Sequence, residues 1–212
     1  MCEILIATTN RSKVEPFLYS CKRLGLDKWY KFLNPKELGL NVEVDENSGS
    51  FKGDSELKAR AYCQASGIIS VSFDRGIEFE GLNYWPGTLT KMAFTGDEKM
   101  ILGGVENRFE ADVAKSREVL ARLVGIENRF LWSVYGIAIA FPDGVMVSDE
   151  VRVRGKAADD LRITKVGYYY DWFFMPGQSK KTLSEMTPEE YLDYTATVLW
   201  PITPRIIEVL KK

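Results

Sequence analysis

The segment Glu3-Ile4-Leu5-Ile6-Ala7-Thr8, followed by Thr9-Asn10-Arg11-Ser12-Lys13, decides the fold. Its first part is an apolar run without clear alternation, which is typical of a central strand that is buried on both faces. Its second part is polar and leads into a helix predicted over residues 12–24, which Gly25 ends. The chain therefore opens with a strand, a polar turn and a helix.

The rest of the chain continues this mixture of strands and helices. The turn Pro142-Asp143-Gly144 separates two long apolar runs and predicts a hairpin. Further helices are expected over residues 54–66, 110–124, 188–199 and 204–210, and strands over residues 68–73, 77–80, 130–141 and 145–153. Residues 92–105 match neither a helix pattern nor a strand pattern well. The mixture predicts one α/β or α+β domain with a mixed sheet, spanning residues 1–212.

The composition excludes several classes of site. The 212 residues are 45% hydrophobic, which is enough for a packed core, and none is a histidine. That absence excludes a Ser-His-Asp triad, a Cys-His pair, and every zinc or haem site with a histidine ligand. Acid–base chemistry must then use Asp, Glu, Lys, Tyr or Cys. A metal site must depend mainly on carboxylates, which favour Mg²⁺, Mn²⁺ or Ca²⁺.

Charge and cysteine content indicate the surroundings in which the chain works. A net charge of −2 gives no electrostatic reason to expect nucleic-acid or membrane binding. No apolar stretch approaches the ~20 residues of a membrane span. Cys2, Cys21 and Cys63 are odd in number, far apart and outside any C-x-x-C motif. We therefore expect no disulfide framework and a cytoplasmic location.

The first candidate for chemistry is the polar turn after the opening strand. The N-terminus of a helix presents unpaired N–H groups and the positive end of a dipole, so that with Asn10 and Lys13 it could hold a phosphate. The paired glycines of a Walker A loop are absent. The alternative is an ordinary strand-to-helix turn that Asn10 or Ser12 caps.

A second candidate is a set of acidic residues in two groups. They are Glu43, Asp45, Glu46, Asp74, Glu78 and Glu80. Asp74 follows a predicted buried strand, at the end of the sheet where α/β sites usually lie. Asp74 and Glu46 are the best candidates for Mg²⁺ binding and for activating water. Glu78 and Glu80 are expected on the solvent face of a strand.

The remaining candidates come late in the chain. Six of the eight residues in Gly167-Tyr168-Tyr169-Tyr170-Asp171-Trp172-Phe173-Phe174 are aromatic. Such rings could stack on a nucleobase, although Phe173 and Phe174 are better explained as core. Three adjacent tyrosines are hard to bury together, because each hydroxyl needs a partner. The lysines of Ser179-Lys180-Lys181-Thr182 could meet phosphate, or could lie on a charged surface loop.

Taken in order, these segments resemble the Ham1/inosine triphosphate pyrophosphatase family. The family pattern A-T-x-N-x-x-K is matched by residues 7–13, and [TS]-F-x-x-N-A-x-x-K-A by residues 50–59. The D-D-S-G-L pattern and the P-G that follows are matched by residues 73–77 and 86–87. The late patterns G-F-G-[YW]-D-P-x-F and K-T-x-x-E-[LM] are matched by residues 167–174 and 181–186.

The resemblance implies a fold, an activity and site residues. It implies an elongated mixed sheet with flanking helices and two lobes around a central cleft. It also implies a homodimer that hydrolyses nucleoside triphosphates with Mg²⁺, or with Mn²⁺ in its place. The charge balance predicts binding to neither nucleic acid nor membrane. The implied catalytic residues are Asp74, Lys13 and Lys58; the implied metal ligands are Glu46 and Asp74; the implied substrate-binding residues are Thr8, Asn10, Lys13, Arg75, Tyr168, Tyr170, Asp171 and Lys181.

Departures from the family pattern are concentrated in two places. Around the carboxylate pair, Phe73 replaces the first Asp and Arg75 replaces the Ser, while Asp54 replaces a helix Asn. The family's S-H-R motif, which grips the purine base, falls at Thr195-Ala196-Thr197, and the lysine before it at Tyr191. Pro201 and Pro204 also interrupt the closing helix. The phosphate half of the site is thus partly retained, whereas the base half is altered.

We therefore expect a Mg²⁺-dependent pyrophosphohydrolase with altered base specificity. The main alternative is a catalytically weakened protein of the same fold that binds nucleotide as a sensor or regulatory subunit. A hydrolase acting on a non-nucleotide phosphate ester is a third possibility, which stacking by Tyr168 would oppose.

Overall fold

We describe residues 1–8, 10–91, 108–163 and 169–199 of the protein from a computed structural model. The strands are β1 Cys2–Ile6, β2 Tyr30–Leu33, β3 Ile69–Phe79, β4 Trp85–Pro86, β5 Phe130–Ala140, β6 Met146–Ala157 and β7 Phe174–Pro176. The α-helices are α1 Arg11–Arg23, α2 Phe51–Ser66, α3 Arg108–Arg122 and α4 Pro188–Leu199. The expected helix over residues 204–210 and the ambiguous residues 92–105 lie outside the described residues.

The strands form one mixed sheet in the order β2-β1-β3-β5-β6-β7, with β4 paired to β3. β1 is parallel to both of its neighbours, pairing Ile4 with Phe32 on one side and Ile6 with Val71 on the other. β4 and β7 run antiparallel to β3 and β6. The predicted mixed α/β fold class is therefore confirmed.

The opening strand, turn and helix form as the sequence predicts. β1 lies inside the sheet, between β2 and β3, and α1 covers one of its faces with Phe17 and Cys21, both buried. Gly25 follows the helix with φ 70°, a left-handed conformation that glycine adopts without strain. These elements share one core, whose buried members are Ile4, Ile6, Phe17, Cys21, Leu26, Val71, Phe73, Ile137 and Ile139.

Helix α2 begins earlier than the sequence pattern predicts, at Phe51 rather than at residue 54. The Ser50 side chain accepts a hydrogen bond from the Gly53 N–H at 3.0 Å and so caps the helix. Phe51 is buried immediately after this cap. The earlier start places Asp54 in the first turn of the helix.

Strand β3 is longer than predicted and corrects the position of Asp74. The sequence pattern suggested two short strands, with Asp74 after the first, but β3 runs unbroken from Ile69 to Phe79. Ile77 and Phe79 continue its buried face beyond Asp74. The last pair between β1 and β3 is Ile6 with Val71, so Asp74 lies beyond the end of β1.

The predicted hairpin between β5 and β6 is confirmed, with Gly144 at φ 91° in its turn. Within β5, the alternating residues of the strand face different helices. Ile137 and Ile139 join the core under α1, whereas Ala138 and Ala140 pack with Ala59 and Cys63 of α2.

The aromatic segment is more buried than the sequence suggested. Tyr169 is 2% exposed and Tyr170 is 0% exposed, so two neighbouring tyrosines are buried together. The Tyr169 hydroxyl donates to the carbonyl of Thr90 at 3.2 Å, which meets its need for a partner. Phe173 and Phe174 are also fully buried, as predicted.

The chain divides into two compact units. The first comprises Met1–Arg75, Tyr135–Val151 and the segment from Leu192; the second comprises Gly76–Val134 and Arg152–Tyr191. Among the described residues, no helix combines the length and apolar composition needed to cross a membrane. Cys2, Cys21 and Cys63 are all free thiols.

Candidate active site

Two lysines meet one carboxylate in the first unit. The Lys13 and Lys58 ammonium groups each lie 3.1 Å from Asp74 Oδ1. The three side chains are 16%, 11% and 14% exposed, so they meet in a largely enclosed place. The structure thus brings together the three residues to which the family resemblance gives a catalytic role.

The fold explains why residues so distant in the chain converge. Lys13 lies in the first turn of α1, directly after the turn that leaves β1. Asp74 lies on the neighbouring strand β3, just beyond the end of β1, so Lys13 reaches both its carboxylate and the Phe73 carbonyl at 3.1 Å. Lys58 comes from α2, which precedes β3 in the chain.

Burial and charge together set the protonation of this group. Burial lowers the pKa of Lys13 to about 8, and the nearby Lys58 charge adds to this effect while Asp74 opposes it. Burial alone would raise the pKa of Asp74, but the Lys13 and Lys58 charges outweigh it and hold this pKa below the usual value. Asp74 is therefore an ionised carboxylate at neutral pH.

Two further carboxylates adjoin Asp74. Lys58 also binds Glu46 Oε2 at 3.1 Å. This ion pair connects the loop that carries Glu43, Asp45 and Glu46, here called the acidic loop, to the same cluster. One oxygen each from Glu46, Asp54 and Asp74 lie within 4.8 Å of one another. Oxygen ligands of this kind suit Mg²⁺ or Mn²⁺, so the donor set fits a divalent cation.

Arg75 and Phe73 flank Asp74 on β3. The Arg75 charge lowers the pKa of Lys13, which shows that the guanidinium is electrostatically close to the site. Phe73 belongs to the core, with its ring centroid 4.8 Å from that of Phe17. Strand alternation thus separates Phe73 from its neighbour Asp74.

The polar turn before α1 has a capping structure. The Thr8 hydroxyl accepts a hydrogen bond from the Asn10 N–H at 3.2 Å. The Asn10 carbonyl accepts from the N–H groups of Lys13 and Val14 at 3.0 and 3.1 Å, which begins the helix. These hydrogen bonds fix Thr8 and Asn10 in the turn that leads directly to Lys13.

The candidate base-binding residues lie in the second unit. Tyr168 is outside the described residues. Tyr170 and Asp171 are 0% and 1% exposed, within a 3-10 turn over Tyr169–Trp172. Tyr170 packs edge-on against Tyr169, with ring centroids 5.3 Å apart.

Lys181 forms a surface ion pair. Its ammonium group lies 3.0 and 3.2 Å from the two carboxylate oxygens of Glu190. Thr182 and Glu185 are the Thr and Glu of the K-T-x-x-E pattern. They have a structural role, because they form a capping box around a short 3-10 turn.

The segment that aligns with S-H-R lies in α4, and its two threonine hydroxyls donate hydrogen bonds to carbonyls of the same helix. Thr195 Oγ1 donates to the Leu192 carbonyl at 2.9 Å, and Thr197 Oγ1 donates to the Asp193 carbonyl at 2.8 Å. Each of these hydroxyl protons is therefore directed into the helix itself.

In the sequence, Asp54 stands out only as a departure from a family pattern. The structure places it beside Glu46 and Asp74. The signal that could have identified it is its spacing from Lys58: residues four apart on a helix share one face, so a site that includes Lys58 also includes Asp54.

Comparisons with known proteins show the family of the chain. The Ham1 family profile matches residues 4–194. A dITP/XTP pyrophosphatase of Aquifex aeolicus is 30% identical over 189 residues, which are 89% of this chain and 87% of the relative. One from Mycobacteroides abscessus is 31% identical over 190 residues, covering 89% and 85% of the two chains.

Solved structures show the same fold. The Ham1 protein of Staphylococcus aureus superposes with a TM-score of 0.71 at 23% identity, covering 96% of this chain and 98% of that one. A nucleoside-triphosphatase, or dITP/XTP pyrophosphatase, of Mycobacterium abscessus has a TM-score of 0.68 at 26% identity, with 98% and 97% covered. From the profile match and these relatives we conclude that the chain belongs to the Ham1 family.

Proposed function

We propose that this protein is a metal-dependent nucleoside triphosphate pyrophosphohydrolase. It would convert a (d)NTP and water into a (d)NMP and pyrophosphate. The observation that carries the proposal is the convergence of Lys13 and Lys58 on Asp74 Oδ1. Relatives of similar length are dITP/XTP pyrophosphatases, which supports the same reaction class.

Asp74 and the two lysines, Lys13 and Lys58, have different roles in the proposed reaction. Asp74, ionised at neutral pH, accepts a hydrogen bond from the attacking water, orients it and takes its proton. The water oxygen bonds to a phosphorus at the α–β bridge, and the bond from that phosphorus to the bridging oxygen breaks. Lys13 and Lys58 stabilise the negative charge that develops on the phosphate oxygens.

Glu46 and Asp74 would hold the divalent cation. When bound, Mg²⁺ or Mn²⁺ neutralises phosphate charge and makes the bound water more acidic. Thr8 and Asn10 lie in the turn before α1 and Arg75 follows Asp74 on β3, and we assign all three to the phosphates of the substrate. Tyr168, Tyr170, Asp171 and Lys181 remain our candidates for contacts with the base and the phosphates.

We further propose that base specificity differs from that of the inosine and xanthosine triphosphate enzymes. Selectivity for a 6-oxo purine requires donors aimed at its oxygen. The hydroxyl protons of Thr195 and Thr197 are directed to carbonyls of their own helix. Ala196 and Thr197 are also much shorter than the His and Arg with which they align. The aligned segment is therefore a poor source of such donors.

A panel of standard, deaminated and modified (d)NTPs with Mg²⁺ or Mn²⁺ tests both proposals. We expect pyrophosphate release from at least one nucleotide, with a ratio of dITP to dATP turnover below that of the Aquifex aeolicus relative measured alongside. No pyrophosphate from any member of the panel would refute the hydrolase proposal. A strong preference for dITP and XTP, equal to that of the relative, would refute altered specificity.

The alternative is a nucleotide-binding sensor or regulatory protein with weakened catalysis. Burial of Phe73 in the core favours it, because this position then supplies no carboxylate to the site. Stabilisation by nucleotide in a thermal-shift assay, without turnover and unaffected by Asp74→Asn, would support this alternative.

We also propose that the protein is a cytoplasmic homodimer, on the basis of its family. Light scattering coupled to gel filtration measures its mass in solution. A monomeric mass at micromolar concentration would refute the dimer.

A further inference from the structure

Asp54 is a buried carboxylate that has no cationic partner within the described part of the chain. It is 3% exposed, in the first turn of α2. Its Oδ1 accepts a hydrogen bond from the Ser48 N–H at 3.0 Å. The described residues provide no donor for its other oxygen and no lysine or arginine within ion-pair distance.

Burial of an unpaired carboxylate is costly, and nearby groups do not relieve this cost. Lys58 is four residues further along the same helix face, but its ammonium group binds Glu46 and Asp74 instead. Asp74, which is less buried than Asp54, has two ammonium partners. Among the described residues, Asp54 thus has no cation to balance its charge, and a bound metal ion would supply one.

The position of Asp54 indicates where that charge would lie. Its ligand oxygen lies within 4.8 Å of one oxygen from each of Glu46 and Asp74. Two oxygens bound to one Mg²⁺ at about 2.1 Å are roughly 3–4.2 Å apart, so small side-chain movements would let all three reach a single ion. Phe73, which faces the core, offers no ligand.

We propose that Asp54 is a third carboxylate ligand of the divalent cation, together with Glu46 and Asp74. This inference rests on the metal site in the proposed function and goes beyond it, because it assigns a role to a residue that the family pattern does not. Lys58 then has two arrangements: it bridges Glu46 and Asp74 without the ion, and is released toward the phosphates when the ion binds.

Mn²⁺ binding to the protein without nucleotide tests the proposal. Free Mn²⁺ is counted by electron paramagnetic resonance during titration of the wild type, Asp54→Asn and Glu43→Gln. Asn keeps an acceptor for the Ser48 N–H but removes the charge. Glu43 is an exposed carboxylate in the same acidic loop, so its variant controls for a general loss of negative charge.

We expect Asp54→Asn to weaken Mn²⁺ binding by about tenfold or more, and Glu43→Gln to change it less than twofold. Asp54→Glu, which keeps the charge, should bind more tightly than Asp54→Asn. Wild-type affinity in Asp54→Asn, or no Mn²⁺ binding by the wild type, would overturn the proposal. If Asp54→Asn does not fold, Asp54→Ser is titrated instead, with the same expectation and the same refuting result.

Pyrophosphate release is measured on the same preparations to keep the two proposals apart. Unchanged Mn²⁺ binding in Asp54→Asn, with turnover by the wild type, would refute the role of Asp54 and leave the proposed function intact. Absence of turnover together with the expected loss of Mn²⁺ binding would refute the hydrolase and leave the metal site.

Discussion

Gly136 in the middle of β5 lies directly against Phe51, the first residue of α2. A Cβ atom on Gly136 would stand 2.3 Å from both the carbonyl carbon and the carbonyl oxygen of Phe51. No real Cβ approaches backbone so closely, so this glycine is required for the contact. The contact fixes where α2 begins relative to the sheet, and α2 carries Asp54 and Lys58.

We therefore expect Gly136→Ala to lower the free energy of unfolding by about 1–3 kcal/mol and to reduce turnover, because backbone must move to admit the methyl group. Urea unfolding measures the first effect and pyrophosphate release the second. Ser133→Ala in the same strand is the control, since its buried hydroxyl has no hydrogen-bond partner among the described residues. Equal stability of Gly136→Ala and the wild type would contradict the close approach.

The cap of α2 gives a second prediction. Ser50→Ala should lower the free energy of unfolding by about 1 kcal/mol, because the Gly53 N–H loses its acceptor. Ser50→Asp retains an acceptor oxygen at this position and should keep most of the stability. Urea titrations of both variants make the comparison. An alanine variant as stable as the aspartate variant would show that the cap contributes little.

The Asp74 carboxylate should be essential for turnover. Asp74→Asn is expected to lower kcat by about 10²- to 10⁴-fold, because the amide cannot take a proton from water. Steady-state pyrophosphate release gives kcat, and circular dichroism checks folding. Asp143→Asn, in the β5–β6 turn, removes a charge but keeps an acceptor for the Val145 N–H, so it should be fully active. Retention of kcat in Asp74→Asn would remove this residue from the mechanism.

The cysteines should differ sharply in reactivity toward a thiol reagent. Burial raises the pKa of Cys21 to about 12, and burial also raises the pKa of Cys63, so few thiolates form at either site near pH 8. Cys2 is exposed. At pH 8 the native protein should react rapidly with dithionitrobenzoate at one thiol, and at all three after denaturation. Replacing Cys2 with serine should abolish the rapid phase; rapid reaction of two or more native thiols would be inconsistent with this burial.

Much of this molecule follows from local sequence. The apolar run of β1, Gly25 after α1 and the turn at Gly144 each specify their conformation through nearby atoms, and each prediction was confirmed. Lys13 and Asp74 could also be selected in advance, because polar and charged residues next to a predicted buried strand are candidates for a site in an α/β fold. Lys58 was selected only through the resemblance to the Ham1 family.

The tertiary structure decided the remaining features. Asp74 lies within a continuous strand and not after one. The strand continues past it because Ile77 and Phe79 are buried in the core. The adjacent tyrosines are buried because Tyr169 reaches the distant Thr90 carbonyl. Asp54 joins Glu46 and Asp74 only when α2 packs beside β3. Sequence patterns report the period and chemistry of neighbouring residues, whereas these outcomes depend on atoms that are far apart in the chain and meet only in the folded protein.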